Sequence, residues 1–119
     1  MILVDTSVWV DHLRGASPLL LELLERNRVI VHPFVIGEIA LGSLRQREAV
    51  IALLDAMPRA PVATHGEVMG FIGWHGLYGQ GVGYVDAHLL ASVMLSEGGK
   101  LLTADKRLRA AAAHLGITA

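Results

Sequence analysis

An α/β domain with a mainly parallel sheet is what this sequence predicts, and three observations predict it. Short apolar runs recur at Ile2-Leu3-Val4, Val29-Ile30-Val31 and Lys100-Leu101-Leu102-Thr103. Segments with the apolar spacing of helices separate them, so strands alternate with helices along the chain. The runs are continuous rather than alternating with polar residues, as suits strands covered on both faces. The 119 residues suffice for one domain with a real core and are too few for two comfortable ones, so 1–119 is read as a single unit.

The first run sets up the rest, because it ends in Asp5 followed by two hydroxyl residues, Thr6 and Ser7. In open α/β sheets ligands bind beyond the carboxyl ends of the strands, which places Asp5 at the mouth of a crevice. The ordinary alternative is that Asp5 caps the helix that follows. That helix runs from Ser7 to Arg14 and breaks at Gly15. Ser17-Pro18 reads as an N-cap with proline in the first helical position. Leu19, Leu20, Leu23 and Leu24 then share an amphipathic helix with Glu22, Glu25 and Arg26.

Val29-Ile30-Val31 is the second strand, closed by His32-Pro33. A helix from Phe34 to Leu44 carries Ile36, Ile39 and Ala40, with Glu38 among apolar neighbours. Another, Arg47 to Met57, stops before Pro58, and Pro61-Val62-Ala63 is read as a third strand. Helical spacing resumes from Gly66 to Trp74 or Leu77. Gly79, Gly81 and Gly83 make a loop, but no strand runs into it and the spacing is not that of a dinucleotide site. Asp86 opens a helix over Ala87 to Ser96, ended by Gly98-Gly99. Lys100–Thr103 is the fourth strand, with Asp105 just beyond it. Leu108 to Leu115 is an alanine-rich helix stopped by Gly116, and Ile117-Thr118 is a fifth strand.

Bulk properties exclude several classes. A formal net charge of −1 gives no global field for nucleic acid, so any polyanion must be held by a local patch or through cations. Zero cysteines remove disulfides, thiolate metal sites and cysteine nucleophiles, and suit the cytoplasm. The N-terminal apolar run lacks the basic flank of a secretory signal. The uncharged stretch Val68 to Val85 holds six glycines and does not read as a membrane span. An apolar fraction of 53% leaves surface for a partner, read as a second copy of the chain or a bound protein.

Four of the eleven acids stand in unusual places. Asp5 and Asp105 each follow an apolar strand and open a helix, Asp86 follows the glycine loop, and Glu38 sits in an apolar helix where a solvated carboxylate is not expected. Gathered in one crevice, they would repel one another unless protonated or neutralised by a cation. All-oxygen ligation suits Mg²⁺ or Mn²⁺. The chemistry that follows is phosphodiester hydrolysis, in which a bound ion acidifies a water and a carboxylate accepts its proton.

These same residues carry a resemblance. Ile2-Leu3-Val4-Asp5-Thr6-Ser7-Val8-Trp9, Gly37-Glu38-Ile39-Ala40, Gly81-Val82-Gly83-Tyr84-Val85-Asp86-Ala87-His88-Leu89-Leu90-Ala91 and Leu101-Leu102-Thr103-Ala104-Asp105-Lys106-Arg107-Leu108 together resemble a PIN-domain ribonuclease, and more narrowly the VapC toxins of type II toxin-antitoxin pairs. The resemblance runs essentially end to end. It implies a three-layer domain with strand order 3-2-1-4-5 flanked by helices, which makes the first and fourth strands neighbours. It implies Asp5, Asp86 and Asp105 as ligands of Mg²⁺ or Mn²⁺, with Glu38 completing the catalytic acids. Thr6, Ser7 and Thr103 would orient carboxylates or the scissile phosphate. Ala104 stands where many relatives carry a polar or basic residue. The implied partners are a structured RNA such as transfer or ribosomal RNA and a VapB-type antitoxin whose tail enters the groove, with a homodimer inside a larger complex.

Among the cations, Arg14 and Lys106 are the candidates to hold RNA phosphates, ahead of Lys100, Arg107 and Arg109. The six histidines show no ligand spacing and are read as structural. Trp9, Trp74, Tyr78 and Tyr84 are read as packing or dimer contacts before base-stacking platforms. Gly70, Gly73 and Gly76 are read as permitting close packing. Two other classes compete. One is a haloacid-dehalogenase-like phosphatase forming an aspartyl-phosphate at Asp5, although Ser7 occupies the place of its second aspartate. The other is a non-catalytic protein-binding module.

Overall fold

The computed structural model describes residues 1–15 and 17–119. Its central strand is β1 (Ile2–Val4), followed by α1 (Thr6–Arg14) and α2 (Pro18–Glu25). Then come β2 (Val29–Ile30), α3 (Pro33–Ala40), α4 (Arg47–Asp55), α5 (His65–His75) and α6 (Tyr84–Leu95). The chain closes with β3 (Lys100–Leu102) and α7 (Lys106–His114).

β1 lies between β2 and β3, and both pairings are parallel, with Leu3 opposite Ile30 on one side and Leu101 on the other. Successive strand residues face opposite sides of a sheet. Leu3 and Val4 are both fully buried, so helices cover β1 on both faces, as its unbroken apolar run requires. The core continues into Val29, Val31, Val35, Ile39, Leu89, Leu90, Leu101 and Leu108.

The expected five-stranded order is not formed among the described residues; three strands make the sheet. The outer two are reduced to single parallel bridges, Val31 with Arg59 and Leu101 with Thr118. The third strand expected at Pro61-Val62-Ala63 is absent there, and the bridge falls two residues earlier. Val31 pairs through Pro58 O and Ala60 N, but the next donor on its strand would be Pro33, which has no N–H and opens α3, and Pro58 has no N–H to extend the ladder the other way.

Helix ends follow their local chemistry. Ser17 Oγ caps α2 by accepting from Leu20 N, with Pro18 in the first turn. Thr64 and Glu67 form a reciprocal capping box at α5. α5 ends where Gly76 turns left-handed (φ 62°). Two helices differ from expectation. α3 stops at Ala40 rather than Leu44, and α6 begins at Tyr84, which puts Asp86 inside its first turn. The close packing expected at Gly70 and Gly73 does not occur within the chain, since a methyl at either would meet nothing within 4 Å.

Candidate active site

Asp5 is placed by the sheet. Its backbone N–H donates to Leu102 O (2.9 Å), carrying the ladder with β3 one residue beyond β1 and setting Asp5 beside Thr103. Asp5 occupies the N-cap position of α1 yet makes no side-chain cap. Instead its Oδ2 accepts from Ser7 Oγ (2.8 Å) and Thr103 Oγ1 (2.7 Å), in a site where Asp5 is only 6% exposed. A buried carboxylate needs such donors to stay charged. One oxygen, Oδ2, is thus fixed in direction by two hydroxyl donors.

The two hydroxyls also tie the strand ends together. Thr103 Oγ1 accepts from Asp105 N (3.0 Å), and Ser7 Oγ accepts from Ala104 N (3.1 Å). Asp105 does cap its helix, accepting from Leu108 N at Oδ1 (3.0 Å). Thr103 O in turn accepts from Arg109 Nη2 (2.9 Å). Arg109 is therefore a brace on the β3 end and not a free phosphate ligand.

Glu38 corrects an expectation. It projects from α3 on an exposed face rather than among apolar neighbours, and its Oε1 accepts from Thr6 Oγ1 (2.7 Å). That bond brings α3 to the start of α1. Asp86, half-buried in the first turn of α6, has its carboxyl pushed up to about 6. Burial is the largest cause, followed by the charges of Asp5, Asp105 and Glu38, while a backbone contact from Gly83 opposes. The four acids are thus within electrostatic reach of one another.

The ion pairs found among the described residues, Arg26–Glu22 and Arg59–Asp55, involve none of these acids. Neither do three acidic or histidine side chains, among the described residues, close to direct ligand spacing. The donor set is all oxygen and repels itself, which fits a hard divalent ion. Such an ion would keep part of its water shell, as Mg²⁺ commonly does.

The cations divide. Lys106 and Arg14 are exposed, Lys106 at the start of α7 and Arg14 at the end of α1 beside a cavity that reaches Glu38. Lys100 is occupied, its Nζ donating to Gly116 O (3.1 Å). Arg107 lies over Gly81, where a methyl would approach its Cδ to 2.9 Å. Two arginines on the α3–α4 side escaped the sequence reading, Arg45 in the wall of that cavity and Arg47, which hydrogen-bonds Ala40 O. Nothing in their spacing marks them, because only the turn after α3 brings them round.

Two of the six histidines, His32 and His88, are buried in the fold. His32 is fully buried, and its Nδ1 caps α3 by accepting from Phe34 N (3.0 Å). Burial, then the neighbouring His88 and Arg59, lowers its pKa to about 4. His88 packs on Phe34 and Tyr84, with ring centroids 4.7 Å apart in both pairs. Trp9 is core, while Trp74 stands 87% exposed.

The sequence pattern of the PIN domain matches residues 2–114. Two proteins of Mycobacterium tuberculosis, from strains CDC 1551 / Oshkosh and ATCC 25618 / H37Rv, are each 52% identical over 117 residues, spanning 98% of this chain and 94% of theirs. Both carry the name ribonuclease VapC32. No helix among the described residues is long and apolar enough to cross a membrane.

Proposed function

The chain belongs to the PIN-domain family, and from that premise we propose that it is a toxin endoribonuclease of the VapC kind, hydrolysing phosphodiester bonds in structured RNA with Mg²⁺ or Mn²⁺. The carrying observation is the group of Asp5, Glu38, Asp86 and Asp105, outside the ion pairs described and near enough for three to raise the proton affinity of the fourth. Asp5, Asp86 and Asp105 would hold the ion. When bound, it supplies positive charge for the scissile phosphate and acidifies a water.

The chain's own residues do the rest. Ser7 and Thr103 hold Asp5 Oδ2, so that this carboxylate presents one oxygen without reorganising. Thr103 couples Asp5 to Asp105, and Arg109 stiffens the carbonyl beneath them. Thr6 orients Glu38, which completes the negative site through a water or a second ion. Lys106 and Arg14 bind RNA phosphates on either side.

The same reading supplies the partners. A VapB-type antitoxin restrains the activity, and the toxin is a homodimer inside the larger complex, acting in the cytoplasm. Family membership leaves the haloacid-dehalogenase alternative without support. The test is hydrolysis of total RNA by the purified chain with Mg²⁺ or Mn²⁺. Activity that survives both EDTA and Asp5→Asn would refute the proposal.

A further inference from the structure

We infer that the cavity between α1, α3 and α4 is the channel for the single RNA strand on one side of the cut, with Arg14 and Arg45 gripping its phosphates. This deepens the ribonuclease reading and rests on it. The cavity, of about 800 Å³, has Glu38 in its wall and so shares one acid with the acidic site. A strand whose scissile phosphate meets the four acids therefore has this channel as an exit.

Charge selects the occupant. Neither Arg14 nor Arg45 joins an ion pair among the described residues, and both line the channel. A protein of net charge −1 with an acidic centre needs local cations to hold a polyanion, and two guanidiniums in the cavity that Glu38 shares provide them. The walls between them are mixed: Val10 and Leu44 offer apolar surface to bases, and Ser43 offers a hydroxyl. Backbone-tracking cations beside surfaces for bases are how proteins take single strands without reading sequence.

The wall is also preformed. Arg47 donates from both Nε (3.1 Å) and Nη2 (3.0 Å) to Ala40 O, clamping the end of α3 to the start of α4 across the connection that carries Ser43 and Arg45. Gln46 completes that turn in a left-handed conformation (φ 51°). A channel already built costs little ordering when the strand enters.

The experiment is fluorescence anisotropy of a labelled, mixed-sequence single-stranded RNA in EDTA, titrated with the intact chain at several salt concentrations. Arg14→Ala and Arg45→Ala are each expected to bind about five- to tenfold more weakly, with a log affinity against log salt slope shallower by about 0.7. Arg45→Lys should retain most of the slope. Ser43→Cys introduces the chain's sole thiol, and a photoreactive group attached there should crosslink to the RNA. Unchanged affinity and slope in both alanine variants, in a preparation that cleaves total RNA with Mg²⁺, would overturn the channel and leave the nuclease standing. Crosslinks from Ser43→Cys to a protein partner with none to RNA overturn it as well. A parent chain that binds through these arginines but never cleaves sinks the nuclease reading instead.

Discussion

Asp5 shows how much turns on where one oxygen points. The sequence offered a helix cap and a catalytic acid as equal alternatives, since both need an aspartate just before a helix. The side chain refuses the cap and takes hydrogen bonds from Ser7 and Thr103. Thr103→Val removes one donor to Asp5 and the acceptor of Asp105 N–H together. It is expected to lower activity by roughly 10–100-fold, as losses of groups orienting metal ligands do. It should also cost about 1–3 kcal/mol in urea denaturation, from polar groups left unpaired. Thr103→Ser keeps the hydroxyl and should restore most of the activity. A Val variant as active as the parent would mean that Asp5 needs no such guide. Legibility at this scale was uneven. Asp5, Thr6, Ser7, Thr103 and Asp105 sit in short local motifs that can be seen in one dimension. Glu38 was singled out for a burial it lacks, because apolar neighbours in sequence need not be neighbours around a helix.

Elements respond to different forces according to what terminates them. β1 has only three residues and gains its permanence from burial on both faces, not from length. Leu3→Ala should therefore cost about 2–5 kcal/mol, read as a lower denaturation midpoint. Thr64→Ala, which deletes the capping box of α5 at the surface, should cost only about 1 kcal/mol and leave RNA cleavage unchanged. A larger loss than that of Leu3→Ala would contradict the view that packing outweighs capping here. Helices with strong end signals were legible, as Gly15 at the end of α1 and Ser17-Pro18 at the start of α2 show. The end of α3 was not, because no proline or left-handed glycine follows Ala40; the Arg47 guanidinium on its carbonyl marks it instead. The outer strands were overread for a related reason. Val62 suits a strand, but the strand it would pair with turns into α3 at Pro33, which leaves one bridge at Arg59.

For the molecule as a whole, pH sets a buried group and a half-buried one against each other. His32 is held neutral, with its pKa lowered from 6.5 to about 4, so it stabilises the fold above pH 6.5 and that stability is lost as pH falls toward 4. The effect reaches at most about 3 kcal/mol. Asp86 has the opposite sign. Its pKa rises from 3.8 to about 6, so the fold binds this proton better than the unfolded chain does, and stability falls as pH rises through that window. Solvent screening reduces this to about 1 kcal/mol. In metal-free protein the two slopes partly cancel between pH 4 and 6. Asp86→Asn should be more stable than the parent at pH 7 and should lose stability more steeply on acidification, measured by urea denaturation at each pH. Equal slopes in the two proteins would mean that burial and its acidic neighbours do not raise the proton affinity of Asp86.

The sequence by itself determined the alternation of strands and helices and the parallel sheet around Ile2–Val4, since each is announced by its immediate neighbours along the chain. Only the tertiary structure decided that Asp5 takes hydrogen bonds from Ser7 and Thr103 rather than capping its helix, that Arg109 bonds the Thr103 carbonyl while Arg45 lines a cavity, and that three strands make the sheet among the described residues. Those outcomes depend on groups far apart in sequence, such as Asp5 with Thr103 and Thr6 with Glu38. Hydrogen bonds of that kind exist only after burial of the apolar runs has brought the chain's ends together, so no local pattern can announce them.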